Sequence, residues 1–282
     1  MKEFKLGKLP PRIDARTIQL SNILRMRFLP DLPKEYDIDK ELVVVDNNMY
    51  LNDVLGDCVI AARGHQTLRF EKYEQGFLIP ISDAKIKKEY FKETGGSDSG
   101  LIMLLSLNQW RKGWTAAGRT YNIHAYASVD WKNHTEVKHC IHLLNGVHFG
   151  MKVSQEAMDQ FKRGETWTVV PCDGGILGGH AVYAMAYYDG ILVCETWGKR
   201  QIMTWEFWDK YVDEAYGIVD NKDEWLGDKS PVDIQLLGSY LVEITTSEQS
   251  SNCPVANGYA NLGNYIAQIL GRKSRFKTYI PK

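Results

Sequence analysis

Cys58 stands where a glycine-containing turn, Asn52-Asp-Val-Leu-Gly-Asp-Cys58, runs into a stretch with helical apolar spacing at 59, 62, 66–70 and 73. Far downstream, His180 follows a glycine pair and opens the apolar run Ala181-Val-Tyr-Ala-Met-Ala-Tyr187, which reads as a strand. A chain that brings a helix-initial thiol against a strand-initial imidazole needs a helical layer and a sheet layer meeting at that point. The chemistry asks for this arrangement. Near neutral pH a thiol is mostly protonated, and a helix N-terminus beside an imidazole favours the nucleophilic thiolate. His180 then serves as base and later as acid. Asn52 offers a side-chain amide to an oxyanion, with the Cys58 backbone N–H as the second donor. Gly178 and Gly179 permit close approach of the Cys58 loop, and Trp197 is placed to shield the imidazole from water. Gly64 weakens the helix expected after Cys58.

Taken in order, the segments 50–73, 95–113 and 174–198 resemble the papain-like cysteine peptidase superfamily. The resemblance implies an α+β fold, a helical lobe packed against an antiparallel sheet lobe. It puts Cys58 in the nucleophile's place, His180 in the base's, and Asn52 in that of the oxyanion-hole glutamine. Trp197-Gly198 matches the pair that follows the third catalytic residue. That makes Glu195 the orienting residue, where the family usually has Asn or Asp and Glu is one methylene longer than Asp, with Thr196 the next candidate. Ser99 and Gly100 fall where the family lines its substrate cleft, and Gly179 and Trp197 complete the expected substrate contacts. Leu-Gly-Asp-Cys58, Trp110-Arg-Lys-Gly and Thr204-Trp-Glu-Phe-Trp-Asp-Lys-Tyr-Val-Asp-Glu-Ala-Tyr216 further resemble papain-like proteins found in tailed bacteriophages and in bacteria.

The formal net charge of −1 gives no global attraction to nucleic acid or anionic membrane. The opening Met1-Lys-Glu-Phe-Lys-Leu-Gly-Lys-Leu-Pro-Pro has no apolar core of a leader, so a bacterial cytoplasm or a virion is the expected location. Five widely spaced cysteines read as free thiols: Cys140 and Cys194 in the core, Cys172 in a loop near the cleft. No cofactor or metal is expected. His139 and His142 share a helix face from which Cys140 points away, so with His134 they read as a solvated face rather than convergent ligands. Gly174-Gly-Ile-Leu-Gly-Gly179 lacks the Lys-Ser/Thr of a phosphate loop.

Residues 1–45, punctuated by prolines, read as an arm whose longest helix runs from Thr17 to Arg27. Residues 46–113 read as the helical lobe with Cys58, including helices at 83–93 and 101–112. Residues 114–245 read as the sheet lobe with His180. Its strands are expected at 121–129, 147–153, 167–170, 181–187, 191–195 and 240–244, with helices at 134–144 and 205–216. Residues 246–282 read as a basic C-terminal tail. The leading expectation is a thiol hydrolase acting on a peptide or protein substrate, with a cell-wall amidase using the same chemistry as an alternative. From another class comes a virion or assembly protein on the same scaffold. It would meet phage structural proteins or copies of itself through both termini, using Ile18, Leu20, Ile23, Leu24, Ile266 and Leu270.

Overall fold

In the computed structural model, which describes residues 4–24, 29–42, 45, 47–220, 233 and 235–237, helices and an antiparallel sheet form an α+β fold. The elements in order are α1 (Leu20–Ile23), β1 (Tyr36–Asp37), α2 (Ile38–Leu42), α3 (Cys58–Gln75), α4 (Asp83–Thr94) and α5 (Met103–Lys112). There follow β2 (Trp114–Ala116), β3 (Arg119–Tyr121), β4 (Ile123–Ser128), α6 (His134–Leu143), β5 (Val147–Ser154) and α7 (Gln155–Arg163). The remainder are β6 (Ile176–Tyr188), β7 (Ile191–Thr196), β8 (Lys199–Thr204), α8 (Trp205–Tyr211) and β9 (Val212–Asp220). Among the described residues the main sheet runs β4-β9-β5-β6-β7-β8, with β1 added beside β6.

The central helix α3 is buried from Cys58 to Glu71 and packs on β6. Gly64, which argued against a helix by propensity, is what lets α3 approach its neighbours. A Cβ there would lie 2.8 Å from Ile86 Cδ1 and 3.0 Å from Tyr50 Cε2. Gly76, in the left-handed conformation, ends the helix and returns its N–H to the Lys72 carbonyl. Because α3 is enclosed, the two arginines it carries are paired inside the fold, as burial of a charge demands. Arg63 reaches Glu93 Oε1 at 2.7 Å and the Ser106 carbonyl at 2.8 Å, while Arg69 takes Asp39 Oδ1 at 2.7 Å.

Several sequence expectations are corrected. The helix expected over 205–216 stops at Tyr211, and Val212–Asp220 becomes β9, between β4 and β5. Its β-branched and aromatic residues satisfy both periodicities, and the open sheet positions decide between them. Trp167–Val170 forms a single bridge to Met203 instead of a strand; Trp167 is buried, its indole donating to the Ala157 carbonyl at 2.8 Å. The strand β8 and the helix α7 had no counterpart in the reading of the sequence. Of the helix expected over 17–27, residues 20–23 are helical, and residues 25–28 lie outside the described residues. His134, His139 and His142 are half-buried rather than solvated: His134 stacks on Trp205 and His142 meets Tyr36 edge-on. The expected strand at 240–244 and the tail 246–282, with Ile266 and Leu270, lie outside the described residues.

The N-terminal arm lies on its own chain. Ile18, Leu20 and Ile23 are buried, and the Ser128 N–H donates to the Ile18 carbonyl at 2.7 Å. No helix among the described residues is long and apolar enough to cross a membrane.

Candidate active site

Cys58 is the first residue of α3, 1 % exposed. The backbone N–H of Ala181, next to His180 on β6, donates to Cys58 Sγ at 3.4 Å. Sheet and helix therefore meet where the sequence placed thiol and imidazole. His180 is buried, its ring stacked on Trp197 with centroids 4.0 Å apart and planes at 14°. Its Nε2 lies 2.6 Å from Thr196 Oγ1, and its Nδ1 makes no hydrogen bond among the described residues. Trp197 adopts a left-handed φ of 45°, a conformation that a bulky residue holds only when its surroundings dictate it.

Glu195 does not orient His180. Adjacent residues of a strand face opposite sides of the sheet: Thr196 faces the imidazole and Glu195 faces α3. There Arg69 Nη1 is 2.6 Å from Glu195 Oε2 and His65 Nδ1 is 2.9 Å from Oε1. Burial pushes this carboxyl upward, and Arg69, with His65 beside it, overcomes that and holds it below the usual range.

Asn52 is likewise occupied elsewhere. Its Nδ2 donates to the Leu55 carbonyl and to Asp57 Oδ1, each at 3.2 Å, so the amide holds the turn before Cys58 rather than facing an oxyanion. Asp57, fully buried, has its carboxyl pushed up to about 8 by burial, against the lowering effect of the Asn52 hydrogen bond. The ordinary value is 3.8, so between about pH 4 and 8 the folded chain keeps a proton that the unfolded chain has released. Stability from this group is full below that window and is lost as pH rises through it. Asp57→Asn should therefore raise stability at pH 7 by about 1–3 kcal/mol and change little at pH 4. Urea midpoints at the two pH values read this directly, and equal shifts at both would refute it.

The cleft beside Cys58 is filled by the chain's own N-terminal segment. The Lys8 N–H donates to the Gly179 carbonyl at 3.0 Å, the Leu9 N–H to the Leu101 carbonyl at 2.9 Å, and the Leu101 N–H to the Gly7 carbonyl at 2.8 Å. The segment thus runs between the two cleft walls as an added strand, parallel to one and antiparallel to the other. Trp197 Nε1 donates to the Lys5 carbonyl at 3.2 Å, and Phe4 packs on Phe161 and Trp197. Gly100 and Gly179 lie where the sequence expected cleft walls. A Cβ on Gly100 would come within 2.4 Å of the Gly7 carbonyl oxygen, and one on Gly179 within 2.3 Å of the Lys8 carbonyl oxygen. Ser99, exposed, lines the groove beside the same segment and accepts from Ser97 Oγ at 3.1 Å.

Enclosure of the pair disfavours charge on either group. Burial pushes the Cys58 thiol up to about 11, outweighing the Ala181 and Gly7 backbone donors, and pushes His180 down to about 3. Both shifts disfavour the expected thiolate and favour the neutral thiol and imidazole. Cys140 and Cys194 are buried and Cys172 is exposed. No group of His, Cys, Asp and Glu among the described residues has the form of a metal site. The sequence reading missed Gly7, Lys8 and Asp57, and the single signal for the first two was a glycine and a lysine inside the otherwise apolar Leu6–Leu9.

No family model matches the chain, and no curated protein matches its sequence. Solved structures do match its fold. Xylellain, a cysteine protease from Xylella fastidiosa, is similar at a TM-score of 0.61 and 17 % identity, over 78 % of this chain and 98 % of that one. The Amb a 11 cysteine protease, a ragweed pollen allergen in its proform, gives 0.57 at 13 % identity, over 78 % and 70 % of the two chains. Procathepsin B S9 from Trypanosoma congolense gives 0.54 at 12 %, over 77 % and 87 %. The fold is papain-like.

Proposed function

We propose that the chain is a papain-like thiol hydrolase, most plainly a cysteine peptidase, held in a self-blocked form by its residues 4–9. The observation that supports this is the seat of Cys58 Sγ: the first turn of a buried helix, touched by the N–H beside His180, with the His180 Nε2 tied to Thr196 and its Nδ1 left open. With Nε2–H donating to Thr196 Oγ1, Nδ1 is the base. It takes the thiol proton as Sγ attacks the carbonyl carbon of a peptide bond. Collapse of the tetrahedral intermediate breaks the C–N bond, and the proton passes from His180 to the leaving amine. Water, deprotonated by the same imidazole, then cleaves the thioester, releasing the acid and restoring the thiol. Thr196 and the stacked Trp197 are positioning residues, fixing the ring's tautomer and plane.

The test is alkylation of Cys58 by iodoacetamide, mapped by mass spectrometry, in a chain whose cleft has been opened by the Gly7 substitution argued in the Discussion. His180→Ala should slow modification of Cys58 about tenfold or more at pH 7. Thr196→Val should lower hydrolysis of a mixed fluorogenic peptide pool by about tenfold while leaving the denaturation midpoint nearly unchanged. Cys58 labelling no faster than Cys172, or indifferent to His180, would remove the enzymatic reading and leave the fold.

A further inference from the structure

The side chain that the resident segment sends into the cleft is a lysine, and the cleft receives it as a cation. Lys8 is buried, with Nζ 2.8 Å from Asp213 Oδ1 and 3.0 Å from Glu214 Oε1. Tyr216 Oη donates to Glu214 Oε2 at 2.9 Å and fixes that carboxylate. Gly150 leaves room for the lysine stem: a Cβ there would lie 1.9 Å from Lys8 Cε, so a larger residue at that position would have to displace it. The backbone bonds of the segment, by contrast, go to the Asn52, Gly179 and Leu101 main chain, and such bonds accept a strand of any sequence.

We infer that Asp213 and Glu214 form a specificity pocket for a basic side chain, so that peptides presenting lysine or arginine beside the scissile bond are the substrate class of this cleft. The inference rests on the proposed hydrolase reading and adds to it the chemistry of the substrate. Glu214 is buried, while Asp213 is half-buried with its Oδ1 turned inward, so the Glu214 carboxylate is poorly solvated. Burial raises Glu214, and the Lys8 ammonium is the largest influence opposing it. A neutral side chain entering in place of Lys8 leaves that charge without a partner, and an acidic one adds repulsion, so discrimination comes as much from rejection as from attraction. Lys8 is thus the resident stand-in for the substrate's cation.

The experiment uses the full chain carrying Gly7→Val, with Lys8→Ala as a second way to empty the slot should the first fail to fold. Peptide chloromethyl ketones, which alkylate a thiol with loss of chloride, are made in matched sets. Lysine, norleucine or glutamate occupies the first, second or third residue from the reactive carbon. In one set the lysine reagent should modify Cys58 about tenfold or more faster than norleucine, and glutamate should be slowest. Adding Glu214→Gln should bring lysine and norleucine to within about threefold. A parallel binding measurement does not depend on the thiol. The labelled peptide Phe-Lys-Leu-Gly-Lys-Leu should bind the opened chain about tenfold more tightly than its analogue with norleucine in place of Lys8. Equal rates across every set with iodoacetamide still modifying Cys58 in a His180-dependent way, or equal binding of the two peptides, would overturn the pocket while the hydrolase reading stands. Loss of His180-dependent labelling with the lysine preference in binding retained would overturn the hydrolase reading instead.

Discussion

Replacing Gly7 by valine is expected to convert Cys58 from an unreactive thiol into the fastest-reacting one in the chain. In the native protein, exposed Cys172 should be alkylated first among the cysteines of the described residues and Cys58 hardly at all. Gly7 passes so close to the Cys58 loop that a Cβ on it would stand 1.8 Å from the Gly56 carbonyl oxygen and 2.3 Å from its carbon. Those are main-chain atoms, held in place because the Gly56 N–H donates to Asp98 Oδ1 at 2.9 Å, so a valine has no room and the segment must leave. Its departure returns water to the thiol and lowers it from about 11 toward the ordinary range. The thiolate fraction at pH 7 rises steeply, partly offset because a less basic thiolate is a weaker nucleophile. The net gain in alkylation rate is about tenfold to a hundredfold. The check is a time course of iodoacetamide modification at each cysteine in both chains. A folded Gly7→Val protein in which Cys58 stays as slow as in the native one would show that the segment is not what silences the thiol.

The second large effect is on stability. Glu195→Gln should lower the folding free energy by about 3–5 kcal/mol, because it removes the anion from a buried pair and leaves Arg69 and His65 facing a neutral amide. Arg69 keeps Asp39, which places the loss toward the lower end of that range. A guanidinium midpoint lower by on the order of 1 M would record it. Thr196→Val, one residue away, should do the reverse: little change in midpoint and a clear loss of turnover. If Glu195→Gln folded as tightly as the native chain and lost turnover instead, Glu195 would recover the orienting role that the sequence suggested.

That pair of residues shows where reading the sequence succeeds and where it stops. Cys58 and His180 are legible because their signals are local: a turn that becomes a helix, and glycines that become a strand. Which of Glu195 and Thr196 faces the imidazole depends on a strand register that shifts every side chain to the other face with a slip of one. No local pattern encodes it. The boundary between α8 and β9 is hidden for a related reason, since Trp205–Tyr216 suits a helix on its own and the sheet claims its second half through pairing with β5. Asn52 was read by its distance along the chain from Cys58, and only the folded turn shows its amide spent on Leu55 and Asp57. Lys8 is the extreme case: its partners Asp213 and Glu214 lie about two hundred residues further along the chain, and the fold alone brings them together.

Because the strand that fills the cleft is joined to the cleft by its own chain, the blockade is insensitive to dilution. A tethered occupant competes at an effective concentration on the order of millimolar, and the apparent affinity of any outside ligand is weakened by the fraction of molecules in which the cleft is momentarily empty. Reagents ranked on the native chain are therefore ranked largely by their ability to wait for that opening.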